Sequence, residues 1–295
     1  MMRKSLFALA ALLWLSAASQ AAWWLENDYS IGSNKFQKDS LTLFTRLSPR
    51  LVGGANASFY KDSGFYDRKV YAFRAPVLYS VSGIALSLTP FLYPVASGTG
   101  SSARGAKFYA MFPVSEDTDE SYVHLTLSAA AARQKTQLNL TEQPYSPTAT
   151  VLTDATFSES AFEVQIEKSY YNQFFFMASA SGFSKPAKAL NSNLVSPVLD
   201  HGDLADLGTF RHVTALPEWA AAIQLARNMA PDFDSYLYAG FSRISFRGDS
   251  DASSVLGGIK MQLYEKSTMD FGYNFYKFGG DNGKNYYRLL IQVYF

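Results

Sequence analysis

The 295-residue sequence has no cysteine. Disulfide staples and thiolate metal sites are therefore excluded. Charged residues are scarce, at 17% of the chain, below the roughly 25% of ordinary soluble domains. Long apolar runs are missing as well. Beyond residue 21, no stretch approaches the 18 or so residues that a membrane-crossing helix needs. A chain of this kind can enter a bilayer only as strands. Nor is there an excess of positive charge. Setting aside Arg3 and Lys4, the 26 basic residues fall to 24 against 25 acidic ones, a net charge of −1. No concentrated basic face points to nucleic acid. A Walker loop, a GxGxxG after a strand, a GxSxG and an HExxH are all absent, so no motif implies a cofactor or a metal. Aromatics, by contrast, are abundant at 16%, with 19 Tyr and 23 Phe, while mean hydropathy is −0.07. Aromatic richness without apolar runs is what strict alternation produces.

The first 21 residues read as a secretory signal. Arg3 and Lys4 supply the positive start, residues 5–18 are apolar, and Ser19-Gln20-Ala21 fits a small-x-small cleavage site. The expected organisation is a signal peptide over 1–21 and one domain over 22–295.

Within 22–295, period-two patterns predict strands. They fall at 22–32, 41–47, 51–60, 69–79, 84–93, 106–113, 121–133, 156–168, 173–183, 217–227, 235–246, 254–264, 269–278 and 285–295. The stretch 121–133 shows the pattern well: Val123, Leu125, Leu127, Ala129 and Ala131 face one way, and Tyr122, His124, Thr126 and Ser128 the other. Residues 33–40, 96–105 and 134–153 read as polar loops, and 184–210 as the longest irregular stretch. Short connections (48–50, 80–83, 115–120, 169–172, 228–233, 265–268) alternate with long ones. Such parity is a property of barrels with short turns at one end and longer loops at the other. The expected fold is all-β: a single transmembrane antiparallel up-and-down β-barrel of fourteen strands. Twelve remain the alternative if two short stretches are misread.

The last eleven residues carry the most specific pattern. Tyr287, Leu289, Ile291, Val293 and Phe295 share one face, opposite Tyr286, Arg288, Leu290, Gln292 and Tyr294. This ending resembles the C-terminal strand of bacterial outer-membrane β-barrels, which typically ends in Phe with alternate apolar or aromatic positions. The resemblance implies a bacterial outer-membrane location. It also implies that the strand is the signal read by the barrel-assembly machinery, and that the surroundings are outer-membrane lipids and lipopolysaccharide.

Charges opposite the apolar faces are expected to point into the lumen: Arg46, Arg74, Lys107, Glu163, Glu167, Lys260, Asp270 and Arg288, with His124 among them. Facing lipid they would cost several kcal/mol each. They line a water-filled path or they pair and plug it. On the first reading the protein is a passive channel for small polar solutes and not an enzyme. Mixed signs argue against strong ion selectivity. Two alternatives stand beside it. Outer-membrane phospholipases and lipid A deacylases place a catalytic His and Ser two residues apart on a strand. Here His124 has Thr126 at that spacing, and no orienting third member is identified. The other alternative is a structural or adhesion barrel with a closed lumen. Asp200-His201-Gly202-Asp203 lacks the spacing of an EF-hand loop, and Arg247-Gly248-Asp249 is a three-residue match in a turn.

Overall fold

The computed structural model describes residues 22–61, 70–95, 102–115, 121–140, 151–171, 173–185, 216–230, 235–247 and 250–295. The expected signal over 1–21 lies outside them. So do the acidic stretch at 200–206, the core of the 184–210 segment, and Gly248 and Asp249.

The described residues form strands β1 (Trp23–Gly32), β2 (Phe36–Ser48), β3 (Leu51–Lys61), β4 (Val70–Arg74), β5 (Val77–Val81), β6 (Ile84–Val95), β7 (Ser102–Pro113), β8 (Val123–Leu140) and β9 (Val151–Tyr170). They continue with β10 (Phe174–Phe183), β11 (Pro217–Ala230), β12 (Ser235–Phe246), β13 (Ala252–Tyr264), β14 (Ser267–Phe278) and β15 (Lys284–Tyr294). Apart from β4 and β5, each pairs antiparallel with its neighbour in sequence, and β1 pairs β15, so the sheet closes on itself. β4 and β5 are two halves of one stave. The break falls at Ala75-Pro76, where Pro has no N–H to give to a ladder; both halves pair with β3 and β6. Counting that stave once, the barrel has fourteen strands. The twelve-strand alternative is set aside.

Three expected loops are corrected. Residues 33–40 hold only a single 3-10 turn, Ser33–Lys35, with Asn34 and Lys35 at positive φ. Residues 36–40 already belong to β2, paired with β1. The 96–105 loop gives way to β7 from Ser102. The 134–153 loop is shortened by a long ladder: β8 and β9 pair from Val123 with Lys168 to Leu140 with Val151. At 18 and 20 residues these strands exceed the roughly 9–11 that cross a bilayer, so this hairpin projects beyond the others.

The apolar faces point outward. Leu41, Phe73, Leu88, Phe108, Phe162, Ile223, Val255 and Phe271 are all exposed around the wall. An apolar belt of this extent is not a water-facing surface, and it matches the lipid-facing band of a membrane barrel. At the turn end, Trp23 stacks on Phe295 at 3.9 Å and Trp24 on Phe44 at 4.9 Å. The first pair is outward and forms part of a girdle; Trp24 and Phe44 share the face of Asp28 and Ser40 and so stack inside the mouth. One outward pair breaks the rule: Asn27 Nδ2 donates to Asp39 Oδ1 at 2.9 Å.

Candidate functional site

The site is the lumen, and it has two unlike halves. Near the turn end the inner wall is polar and partly open to water. Arg288 Nε donates to Asp28 Oδ1 at 3.0 Å, and Lys38 Nζ donates to Asp28 Oδ2 at 2.9 Å. Arg288 also lies 3.9 Å from Asp270, which accepts 2.7 Å from the Tyr238 hydroxyl. Lys260 is the direct cross-strand partner of Asp270 and sits over the Tyr236 ring. Closer to the mouth, Thr268 donates to Gln292 and Gln292 to Glu26, both at 2.9 Å. Beside this network Asn56 donates to Ser40 and Thr42, and the Ser40 and Ser58 hydroxyls are hydrogen-bonded to each other.

An aromatic arc continues around the wall. Tyr122 stacks on His124 at 4.3 Å and donates to Glu167, the cross-strand partner of His124. Phe175 lies 6.5 Å from Tyr122 and 5.0 Å from Tyr236.

Toward the loop end the inner wall becomes mostly apolar and closed to water, with Gln134 and Glu159 buried in the same rows as Ala103 and Ala132. Tyr60 is 1% exposed, Tyr93 and Tyr286 are 0%, and Phe36, Ala72, Phe183, Ile244 and Tyr276 are buried with them. Ser30, Ala103, Ala132, Ala161, Ala220 and Ala252 fill the remaining staves. Every stave thus contributes a buried inward residue, and water does not reach the wall at this level. The collar is apolar where alternation predicts polar residues. Two glycines make room for its rings: a Cβ on Gly32 would meet the Tyr286 ring at 2.2 Å, and one on Gly105 would meet the Phe91 ring at 2.5 Å.

All nine charged or titratable positions expected in the lumen sit on the inward face. Asp270, Arg288 and Lys260 come together, as do His124 and Glu167. Arg74 Nη2 donates to the Tyr60 hydroxyl at 3.1 Å, under the collar. Lys107 and Glu163 are 4% and 1% exposed. Arg46 stands apart, exposed near the turn-end mouth. Sequence reasoning missed Asp28, Lys38 and Glu26. The signal was present: Glu26, Asp28 and Ser30 alternate, as do Lys38, Ser40 and Thr42. Arg247, the first residue of the Arg247-Gly248-Asp249 match, donates to the Phe183 carbonyl at 2.6 Å and to Glu218 at 3.2 Å. Among the described residues no three His, Asp or Glu side chains cluster as metal ligands.

Comparison with solved structures gives the same architecture. The CymD monoaromatic hydrocarbon channel aligns over 93% of this chain and 88% of its own, with a TM-score of 0.55 at 9% identity. CdiB from Acinetobacter baumannii aligns over 94% of this chain and 60% of its own, with a TM-score of 0.48 at 11% identity. OmpT of Vibrio cholerae, an outer-membrane protein, aligns over 94% and 97%, with a TM-score of 0.44 at 10% identity. No protein-family model and no curated protein sequence matches the chain. Closed, fourteen-stranded, apolar outside and charged within, the chain has the fold of the outer-membrane β-barrel proteins.

Proposed function

We propose that the protein is a channel of the bacterial outer membrane that lets small solutes cross passively. The observation that carries this reading is the polar inner wall of the turn-end half. Its Asp28–Lys38–Arg288–Asp270 chain and its tyrosine hydroxyls offer donors and acceptors to a hydrated solute. A fourteen-stranded barrel is wide enough for such a path, between filled eight-stranded barrels and sixteen-stranded porins. Small polar solutes are the cargo this half suits. The apolar belt supports residence among outer-membrane lipids. The outward row Tyr287, Leu289, Ile291, Val293 and Phe295 supports reading of β15 by the barrel-assembly machinery.

A second reading of the cargo rests on the collar. A fully polar solute gives up most of its water there and meets few polar partners, Gln134 and Glu159 among them, which is costly. A solute with an aromatic or apolar body and one polar group fits both halves. CymD, a monoaromatic hydrocarbon channel whose fold this chain shares, supports the same class.

The test is planar-bilayer conductance of refolded protein, followed by liposome uptake of a neutral sugar and of a phenol. Uptake of the sugar supports the polar reading, and selective uptake of the phenol the second. Neither conductance nor uptake above empty membranes would leave the closed structural barrel as the answer. Release of fatty acid from outer-membrane lipids, abolished by His124→Ala, would overturn the channel in favour of an enzyme.

A further inference from the structure

We infer that the outward face of β7, β8 and β9, at the loop end, holds the phosphorylated headgroup of an outer-membrane glycolipid. Arg104 and Arg133 are direct cross-strand partners, and Ser158 is the next partner in the same row. All three side chains are exposed and point away from the lumen. Like charges opposite one another on one sheet face destabilise the pairing unless an anion sits between them. Among the described residues, neither guanidinium has an ion-pair or hydrogen-bond partner.

Other loop-end arginines differ. Arg243, also outward, is bound to Asp251 at 2.6 Å, and that hydrogen bond holds the Asp251 carboxyl below its usual range. Arg247 is bound to Glu218. Among the described loop-end arginines, the two without such a partner are thus brought side by side in one row.

The place is also shaped. Arg104, Arg133, Ser158, Ser160 and Ser184 border a shallow cavity of about 380 Å³. The Ser184 hydroxyl oxygen already accepts from the Ser160 backbone N–H at 2.8 Å, so its own hydrogen is left to donate. Two planar guanidiniums and serine hydroxyls make a donor set for phosphate oxygens. Two positive charges match a phosphomonoester, which carries close to two negative charges, better than a phosphodiester, which carries one. Glu159 borders the same cavity from the lumen side, but it is buried and points into the barrel.

Below the arginines lies a seat for an acyl chain. The next outward rows toward the turn end are Ala106 with Ala131, then Phe108, Ala129 and Phe162. The alanines form a trough flanked by two phenyl rings at the edge of the apolar belt. Here the penalty for an outward arginine falls toward zero. The inference rests on the outer-membrane placement proposed above and not on conduction.

The protein is titrated in detergent with bis-phosphorylated lipid A and bound lipid is read by native mass spectrometry. Monophosphoryl lipid A and phosphatidylglycerol are the comparators. Arg104→Gln with Arg133→Gln is expected to weaken lipid A binding about tenfold or more. Arg243→Gln is expected to change nothing. The lysine pair, Arg104→Lys with Arg133→Lys, keeps the charge and is expected to retain part of the binding. Heat-modified gel migration checks that each variant is folded. If the glutamine pair does not fold, the lysine pair supplies the same comparison with wild type. Equal binding by wild type and the folded variants overturns the site. So does an equal loss in Arg243→Gln, which would mark general surface charge. Displacement of lipid A by an equal concentration of inorganic pyrophosphate overturns the lipid and leaves a free-anion site. A preparation that binds lipid A without conducting ions refutes the channel and leaves this site standing.

Discussion

Arg288 and Asp28 meet at 3.0 Å although 260 residues separate them in sequence. They stand on the last and the first strand, across the seam that closes the barrel. Lys38, on the second strand, completes the triad from the other side of Asp28.

Asp28→Ala removes the carboxylate that bonds to both cations and leaves Lys38 and Arg288 facing each other. The expected loss of stability is roughly 2 kcal/mol, less than for a fully buried pair because these side chains keep 12% to 26% of their surface. Urea titration of the protein refolded into vesicles measures it. An unchanged midpoint would mean that the seam is held by its backbone ladder alone.

Gly32→Ala tests the same seam by packing. The added Cβ would lie 2.2 Å from the Tyr286 ring and 2.6 Å from the Asn285 carbonyl. The ring can rotate away, but the backbone oxygen cannot. Overpacking of this kind costs about 1–3 kcal/mol. In a Tyr286→Ala background, where the ring is already gone, Gly32→Ala is expected to cost less but still to destabilise. No cost in that background would show that the ring was the only obstacle.

The outward face was legible wherever a strand met water or polar atoms on its other side. Leu125, Leu127 and Ala129 against Thr126 and Ser128 need only a period of two to be read. The collar was not legible on the same rule. Tyr60, Phe91, Tyr93, Ile244 and Tyr276 are apolar on the side where polar residues are expected, so they blur the alternation. The β1–β2 hairpin was half missed for the opposite reason. Gln37 and Asp39 are polar on the outward side, and 36–40 therefore reads as a loop. The Asp28–Arg288 contact depends on closure, which no local pattern encodes.

The collar sets the expected conductance. Tyr93 and Tyr286 are its largest fully buried rings together with Tyr60. Replacing Tyr93 and Tyr286 by Ala removes two buried aromatic side chains from the collar. Single-channel conductance in planar bilayers is expected to rise severalfold, and uptake of a neutral sugar with it. Equal conductance in wild type and variant would move the barrier away from the collar.

Asn27 and Asp39 present the sharpest test of which side faces hydrocarbon. They are hydrogen-bonded to each other on the outward face. Asp39 pairs with Tyr29, which pairs in turn with Leu289, well inside the apolar belt. On the outward face β3 brings only Ala55, Ala57 and Phe59 beside them. An acidic group facing lipid costs less than a basic one, and the bond from Asn27 offsets part of that cost. Replacing both by Leu removes two polar groups and adds apolar area to the belt. The expected gain is about 1–2 kcal/mol in the vesicle refolding titration. A loss of stability would mean that protein, and not lipid, covers this face. Cross-linking of Asp39→Cys between copies would then identify the cover as a second barrel.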